Sequence, residues 1–168
     1  VMTHSLIERS GNLALAQAEL LARQPENIAA IAAGRRDQIS AKQSSLFAYM
    51  KAEAGVDLLQ YQTADLKTLL RMQDPSRFGD DVSKVRPMVL AANHDRRGQT
   101  GIEMGPTRVL ALRGVAPVFD GEKLVGTAEV GLSLGPLLQA VKTTTGGDIA
   151  VIIPNGPGAP PSDTRPVI

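Results

Sequence analysis

Residues 109–134, VLALRGVAPVFDGEKLVGTAEVGLSL, decide how this chain folds. Val109–Phe119 and Lys123–Leu134 are two apolar, β-prone runs, and Asp120-Gly121 lies between them. Asp-Gly flanked in this way is a strong hairpin signal. The stretch therefore reads as two long antiparallel strands. Charges interrupt it at Arg113 and Glu129. A charge buried alone is very costly, so each must be paired, solvated or functional. The register depends on the loop. A three-residue loop, Asp120–Glu122, sets Arg113 opposite Glu129, and a two-residue loop sets Ala128 there. The two charges are then a structural ion pair, two solvent-facing side chains, or the charged edge of a pocket.

Upstream, Gly101–Gly105 reads as a shorter strand and His94–Gly98 as a loop. Val82, Val85 and Val89 suggest a helix that Pro87 either splits or begins. Asp74–Gly79 is turn-like. Leu66, Leu69 and Leu70 give Asp65–Met72 a helical spacing, and Val56–Gln62 reads as a short strand. Residues 1–54 read as helix in three pieces. Leu6, Leu13 and Leu20 recur every seven residues and mark one apolar seam. Gln24 precedes a proline and is biased away from helix, while Pro25-Glu26 suits a new first turn. Gly34 stops this second piece, and Arg36–Ala54 carries Ile39, Leu46, Phe47 and Met50 on one face before Gly55 caps it.

Downstream, Leu137–Val141 suggests a short helix and Asp148–Ile153 a further strand. Residues 154–168 hold five of the eleven prolines and read as an irregular tail. The expected organisation is a helical stalk over 1–54, a sheet-based module over 55–153 and the tail, an α+β pattern.

The length of 168 residues suits one domain with a real core. A formal net charge of +1 gives no field that points to nucleic acid. The rings are only Phe47, Phe78, Phe119, Tyr49 and Tyr61, too few for a base-stacking platform. Without cysteine there is no disulfide, thiol chemistry or thiolate metal site. The histidines are His4 and His94, and no phosphate loop, dinucleotide fingerprint, nucleophile elbow or zinc-protease motif occurs. The expectation is a protein that is not an enzyme and uses no cofactor and no metal. A small hydrolase lacks any nucleophile–base pairing to build on. No apolar run of membrane-spanning length is present, and the chain begins Val1-Met2-Thr3 with no signal-peptide pattern. We expect a soluble piece of a longer protein, with membrane anchors outside this fragment.

Residues 70–83, LRMQDPSRFGDDVS, followed by Arg86, resemble an L-R-x-H-x-P-x-x-F/Y-G-D-D-L-S signature found in a subgroup of Cache domains. These are PAS-like extracellular sensor modules of bacterial chemoreceptors and sensor kinases. GIEMG at 101–105, RGVAPVFDG at 113–121 and VGTAEVG at 125–131 are similar to that subgroup's strands, in the same order. The Ala-rich helical lead and GVDLLQY at 55–61 fit as well, so the resemblance runs over roughly residues 10–153. It implies a long N-terminal helical segment packed on a PAS-like antiparallel sheet, a small-molecule pocket, no catalysis, a periplasmic location and a parallel homodimer through the N-terminal helices. Gln62 and Gln73 stand where the subgroup often has histidine. That makes a metal or pH-sensing role less expected, and the ligand should not be borrowed from a relative.

The candidate ligand-binding residues are Arg71, Tyr61, Gln73, Arg113 and Glu129. Arg71 could clamp a carboxylate with two parallel hydrogen bonds, or pin the loop through Asp80 or Asp81. Tyr61 could close the pocket or be a core tyrosine, and Gln73 could meet a ligand or cap a loop. The leucine seam is intramolecular core or a dimer interface. The expected function is that of the sensor domain of a methyl-accepting chemotaxis receptor. Its ligand would be a small carboxylate or other anion held between the sheet and the Leu66–Phe78 segment. The alternatives are the sensor of a histidine kinase or cyclic-dinucleotide enzyme, and a module that binds a partner protein without a small-molecule pocket.

Overall fold

Proline and glycine divide the N-terminal helices where the sequence places them. A computed structural model describes residues 2–106 and 108–147. Helix α1 (Met2–Ala22) gives way to α2 (Pro25–Ala32), whose first residue is the proline. Gly34, at φ +65, separates α2 from α3 (Arg36–Ala54). Gly55, at φ +63, caps α3 and donates its N–H to the Met50 carbonyl. The chain continues through β1 (Val56–Thr63), β2 (Thr68–Arg71), α4 (Pro87–Asp95), β3 (Gln99–Met104), β4 (Leu110–Asp120), β5 (Lys123–Ser133) and α5 (Leu134–Thr145). The five strands form one sheet in the order β2-β1-β5-β4-β3, with every pair antiparallel. The expected α+β architecture is present.

Several boundaries differ from the sequence reading. Asp65–Met72 is not helical: Leu66 takes a left-handed turn position at φ 61, and Thr68–Arg71 is a strand buried at every residue. Residues 79–80 cover its outer edge, with Thr68 N–H on the Asp80 carbonyl and Gly79 N–H on the Thr68 carbonyl. Helix α4 begins at Pro87 and runs on through His94 and Asp95, which the sequence had suggested as loop. Helix α5 starts at Leu134, earlier than expected. The strand expected at 148–153 and the tail at 154–168 lie outside the described residues.

The hairpin forms, but in neither anticipated register. Its loop is Gly121-Glu122, with Asp120 opposite Lys123 and Gly121 at φ +60, the first central position that a II′ turn reserves for glycine. A bulge between Val118 and Phe119 then moves the pairing on by one residue. Arg113 faces Gly131, and Val115 faces Glu129. Arg113 and Glu129 still share a sheet face as diagonal neighbours.

The sheet has two unlike faces. On one, α1–α3 enclose the main core, which includes Ala14, Ala18, Leu21, Ile39, Tyr61, Leu70, Leu112 and Val130. Helix α1 lies so close to β4 that a Cβ on Gly114 would fall 2.2 Å from the Leu15 backbone nitrogen. The seam does not face this core: Leu13 is 52% and Leu20 69% exposed, while Gly11, Ala14 and Ala18 point inward. On the other face a smaller apolar cluster, Val82, Val89, Ala92 and Val115, holds α4 in place.

Candidate functional site

Strand alternation places a set of polar side chains on the face beneath α4. Gln62 pairs with Thr127, Gln60 with Glu129, and Gln60 also with Arg71 on its other side. Glu103 and Arg113 come from the neighbouring strands β3 and β4. Arg86 is the residue just before α4, held there by the following proline.

Glu129 is the centre of this face and is fully buried. Its Oε1 accepts from Arg86 Nη2 at 2.7 Å and from Arg113 Nη1 at 2.5 Å. Its Oε2 accepts from Gln62 Nε2 at 3.0 Å, and Gln62 Oε1 in turn accepts from the Thr127 hydroxyl. Arg86 Nε donates to Glu103 Oε2 at 2.6 Å, and Glu103 Oε1 accepts the Met88 backbone N–H at 2.8 Å. Arg113 completes its fork on the carbonyls of Glu103 and Val109, each at 3.0 Å. Two guanidiniums and two carboxylates are thus interlocked, with both arginines only 1% exposed. Burial pushes the Glu129 carboxyl up, but the charges of Arg86 and Arg113 outweigh burial and hold it below the usual carboxylate range. Chemically the face offers two pre-set cationic forks, each already holding an internal carboxylate.

The other candidates are placed differently. Arg71 grips both oxygens of Asp80, at 2.8 and 2.7 Å, and also donates to the Arg77 carbonyl and the Thr68 hydroxyl. This is the loop-pinning arrangement, and Arg71 keeps the Asp80 carboxyl below its ordinary range. Gln73 Oε1 accepts the Leu59 backbone N–H at 3.3 Å, which ties its loop to β1. Tyr61 does not join the set. It faces the helical core, where its hydroxyl accepts from Asn27 Nδ2 at 3.4 Å beside a group made of half-buried Gln24 and buried Asn27 and Gln43. Burial pushes that hydroxyl far above its ordinary range.

The structure thus unites Arg113 and Glu129 and adds Arg86, Glu103, Gln62 and Thr127, which the sequence reading had not selected. Strand alternation was a usable signal for Gln62 and Glu103. Nothing local marks Arg86 as buried, because the segment before Pro87 reads as polar. Among the described residues no three His, Cys, Asp or Glu side chains are grouped to hold a metal. None of the described helices is long and apolar enough to cross a membrane.

Comparison with known proteins agrees with the fold. The E. coli DcuS sensor domain superposes with a TM-score of 0.66 at 20% identity, over 82% of this chain and 98% of that one. The V. cholerae histidine kinase DctB sensor domain gives a TM-score of 0.66 at 13% identity, over 82% of this chain and 54% of that one. The sensory domain of the Campylobacter jejuni chemoreceptor Tlp3 with isoleucine bound gives 0.60 at 13% identity, over 83% and 58%. The chain therefore spans nearly all of the first and a little over half of the other two. At these identities the likeness is one of fold. No curated protein matches the sequence. A family model described as the double sensory domain of two-component sensor kinase, dCache_3, matches residues 2–165. With nearly its whole length matched, and with the α+β sheet of Cache sensor domains, the chain belongs to this family of sensory domains.

Proposed function

We propose that this chain is the extracytoplasmic ligand-binding domain of a methyl-accepting chemotaxis receptor, that it is not itself an enzyme, and that it recognises a small anion, a carboxylate by preference. The observation that carries the reading is the buried Arg86–Glu129–Arg113–Glu103 network beneath α4. Buried ion pairs rarely stabilise a fold better than apolar packing of the same volume. Kept on one sheet face under a short helix, they make sense as a recognition site. A ligand carboxylate would take one guanidinium fork from Glu129, re-pair the network and favour one position of α4 over another. The ligand then shifts an existing equilibrium by its differential affinity. Arg71 and Gln73 hold the loop that closes the site, and Tyr61 supports the sheet from behind. Such a receptor is held at a membrane, and two copies pair through the exposed Leu13 and Leu20 of α1.

Support comes from family membership and from the chemoreceptor neighbour with isoleucine, a ligand that carries a carboxylate. The family description and the histidine kinase DctB neighbour favour a second output, a sensor histidine kinase, with the same recognition chemistry. A cyclic-dinucleotide enzyme is a further output of the same kind.

A thermal-shift screen of organic acids, amino acids and amines tests the reading. A ligand at a hundredfold its Kd adds about 2.7 kcal/mol of stability. We expect acids to stabilise the wild type, and Arg113→Lys to lose the response because lysine lacks the bidentate fork. Stabilisation by amines alone would overturn the anion assignment and point to Glu103 and Glu129. Silence across the whole screen would favour a module that senses through a partner protein.

A further inference from the structure

A cavity of about 550 Å³, away from the ion cluster, opens beside the turn end of the β4–β5 hairpin. It exists because β4 outruns β3. Gln99, the first residue of β3, pairs with Val115, so Ala116–Asp120 extend past the end of that neighbour. The gap is framed by the α1–α2 corner on one side and the α4–β3 turn on the other. Ile28, Pro117 and Phe119 give it an apolar lining. Three arginines, Arg23, Arg96 and Arg97, face it against one acid, Glu19.

These charges are available. Arg23 meets Glu19 only at 3.7 Å, with 78% and 43% of the side chains exposed. Arg97 meets Asp95 at 3.8 Å, with 75% and 37% exposed. Exposed pairs this loose contribute close to nothing, so an incoming anion can displace them at little cost. Arg96, by contrast, is fixed. It adopts a left-handed backbone at φ 56, its guanidinium lies 4.7 Å over the Phe119 ring, and its Nη2 donates to the Glu122 carbonyl. The turn behind it is pressed on α1: a Cβ on Gly98 would meet Leu15 at 2.7 Å.

A cationic rim over an apolar floor, in a volume of drug-like size, suits one ligand class. We propose that this groove is a second, independent site for a carboxylate carried on a ring-sized apolar body. The carboxylate lies between Arg23 and Arg97, and the body rests on Ile28, Pro117 and Phe119.

The test is a titration of the ¹⁵N-labelled protein with benzoate, phenylacetate and cyclohexanecarboxylate, with benzamide as the uncharged control. The acids should give saturable amide shifts at Ile28, Gly98, Ala116 and Phe119, and benzamide should not. The double variant Arg23→Gln/Arg97→Gln should bind at least about tenfold more weakly, since both charge-assisted contacts are lost. Its melting temperature should not move, because neither arginine makes a strong internal pair. On the wild-type protein, raising salt from about 0.05 to 0.5 M should weaken binding, a readout that needs no variant. The proposal is overturned by no saturable shift with any of the three acids, by equal shifts with benzamide, or by salt-independent binding. Shifts confined to Gln62, Val115 and Glu129 would overturn it too, and would place the ligand at the ion cluster instead.

Discussion

At Glu129 the sheet buries a carboxylate completely and sets two guanidiniums on one of its oxygens. Glu129→Gln keeps the shape but leaves Arg86 and Arg113 without that counter-charge. We expect it to cost about 3–5 kcal/mol in urea unfolding, the usual penalty for breaking a buried pair. The pH dependence has a definite sign. Glu129 and Asp80 have carboxyls lowered on folding. Their contribution is whole above the unfolded carboxylate range and is lost as pH falls through the lower folded values. Unfolding free energy should be flat from neutral pH down to the ordinary carboxylate range and drop below it, and Glu129→Gln should shrink that drop. Tyr61→Phe should cost about 0.5–1.5 kcal/mol, one modest hydrogen bond, and leave any ligand response unchanged. The sequence showed Arg113 and Glu129 as charges in need of partners. It could not show their true register, because an extra residue at the Val118–Phe119 bulge leaves no local mark.

Among the elements, the contact between α1 and β4 leaves no room for a side chain at Gly114. A methyl on Gly114 would lie 2.2–2.4 Å from the backbone of Ala14 and Leu15, which no side-chain adjustment relieves. Gly114→Ala should therefore destabilise by about 1–3 kcal/mol or more, as overpacking does, with a lower melting temperature as the readout. The three helices and the hairpin were legible because Pro25, Gly34, Gly55 and Asp120-Gly121 punctuate them by backbone chemistry. Strand β2 was not. Its four residues, Thr68–Arg71, are buried on both faces and so lack the polar–apolar alternation of a strand, while Leu66, Leu69 and Leu70 have a spacing that also fits a helix. What makes it a strand is distant in sequence: β1 on one edge and residues 79–80 on the other.

For the molecule as a whole, α1 uses small residues toward the sheet and leaves Leu13 and Leu20 exposed. If two copies pair through that surface, Leu13→Glu/Leu20→Glu should give a monomer by sedimentation with unchanged stability. A wild-type monomer, or a dimer that survives both substitutions, would rule the seam out as the interface. The heptad was plain in the sequence, but which side of the helix met the sheet depended on Gly114, which lies far along the chain from α1. The same contact fixes how motion could leave the domain. At Gly114 backbone rests on backbone, so at that point no side chain lies between β4 and α1 to absorb a displacement. Helix α1 then behaves as a rigid beam on a hard fulcrum at Ala14. From there to Met2 is about 18 Å at 1.5 Å per residue, so a tilt of roughly 5° would swing that end by about 1.5 Å. Any change in the sheet small enough to escape notice at the ion cluster would be read out, enlarged, at the far end of the helix.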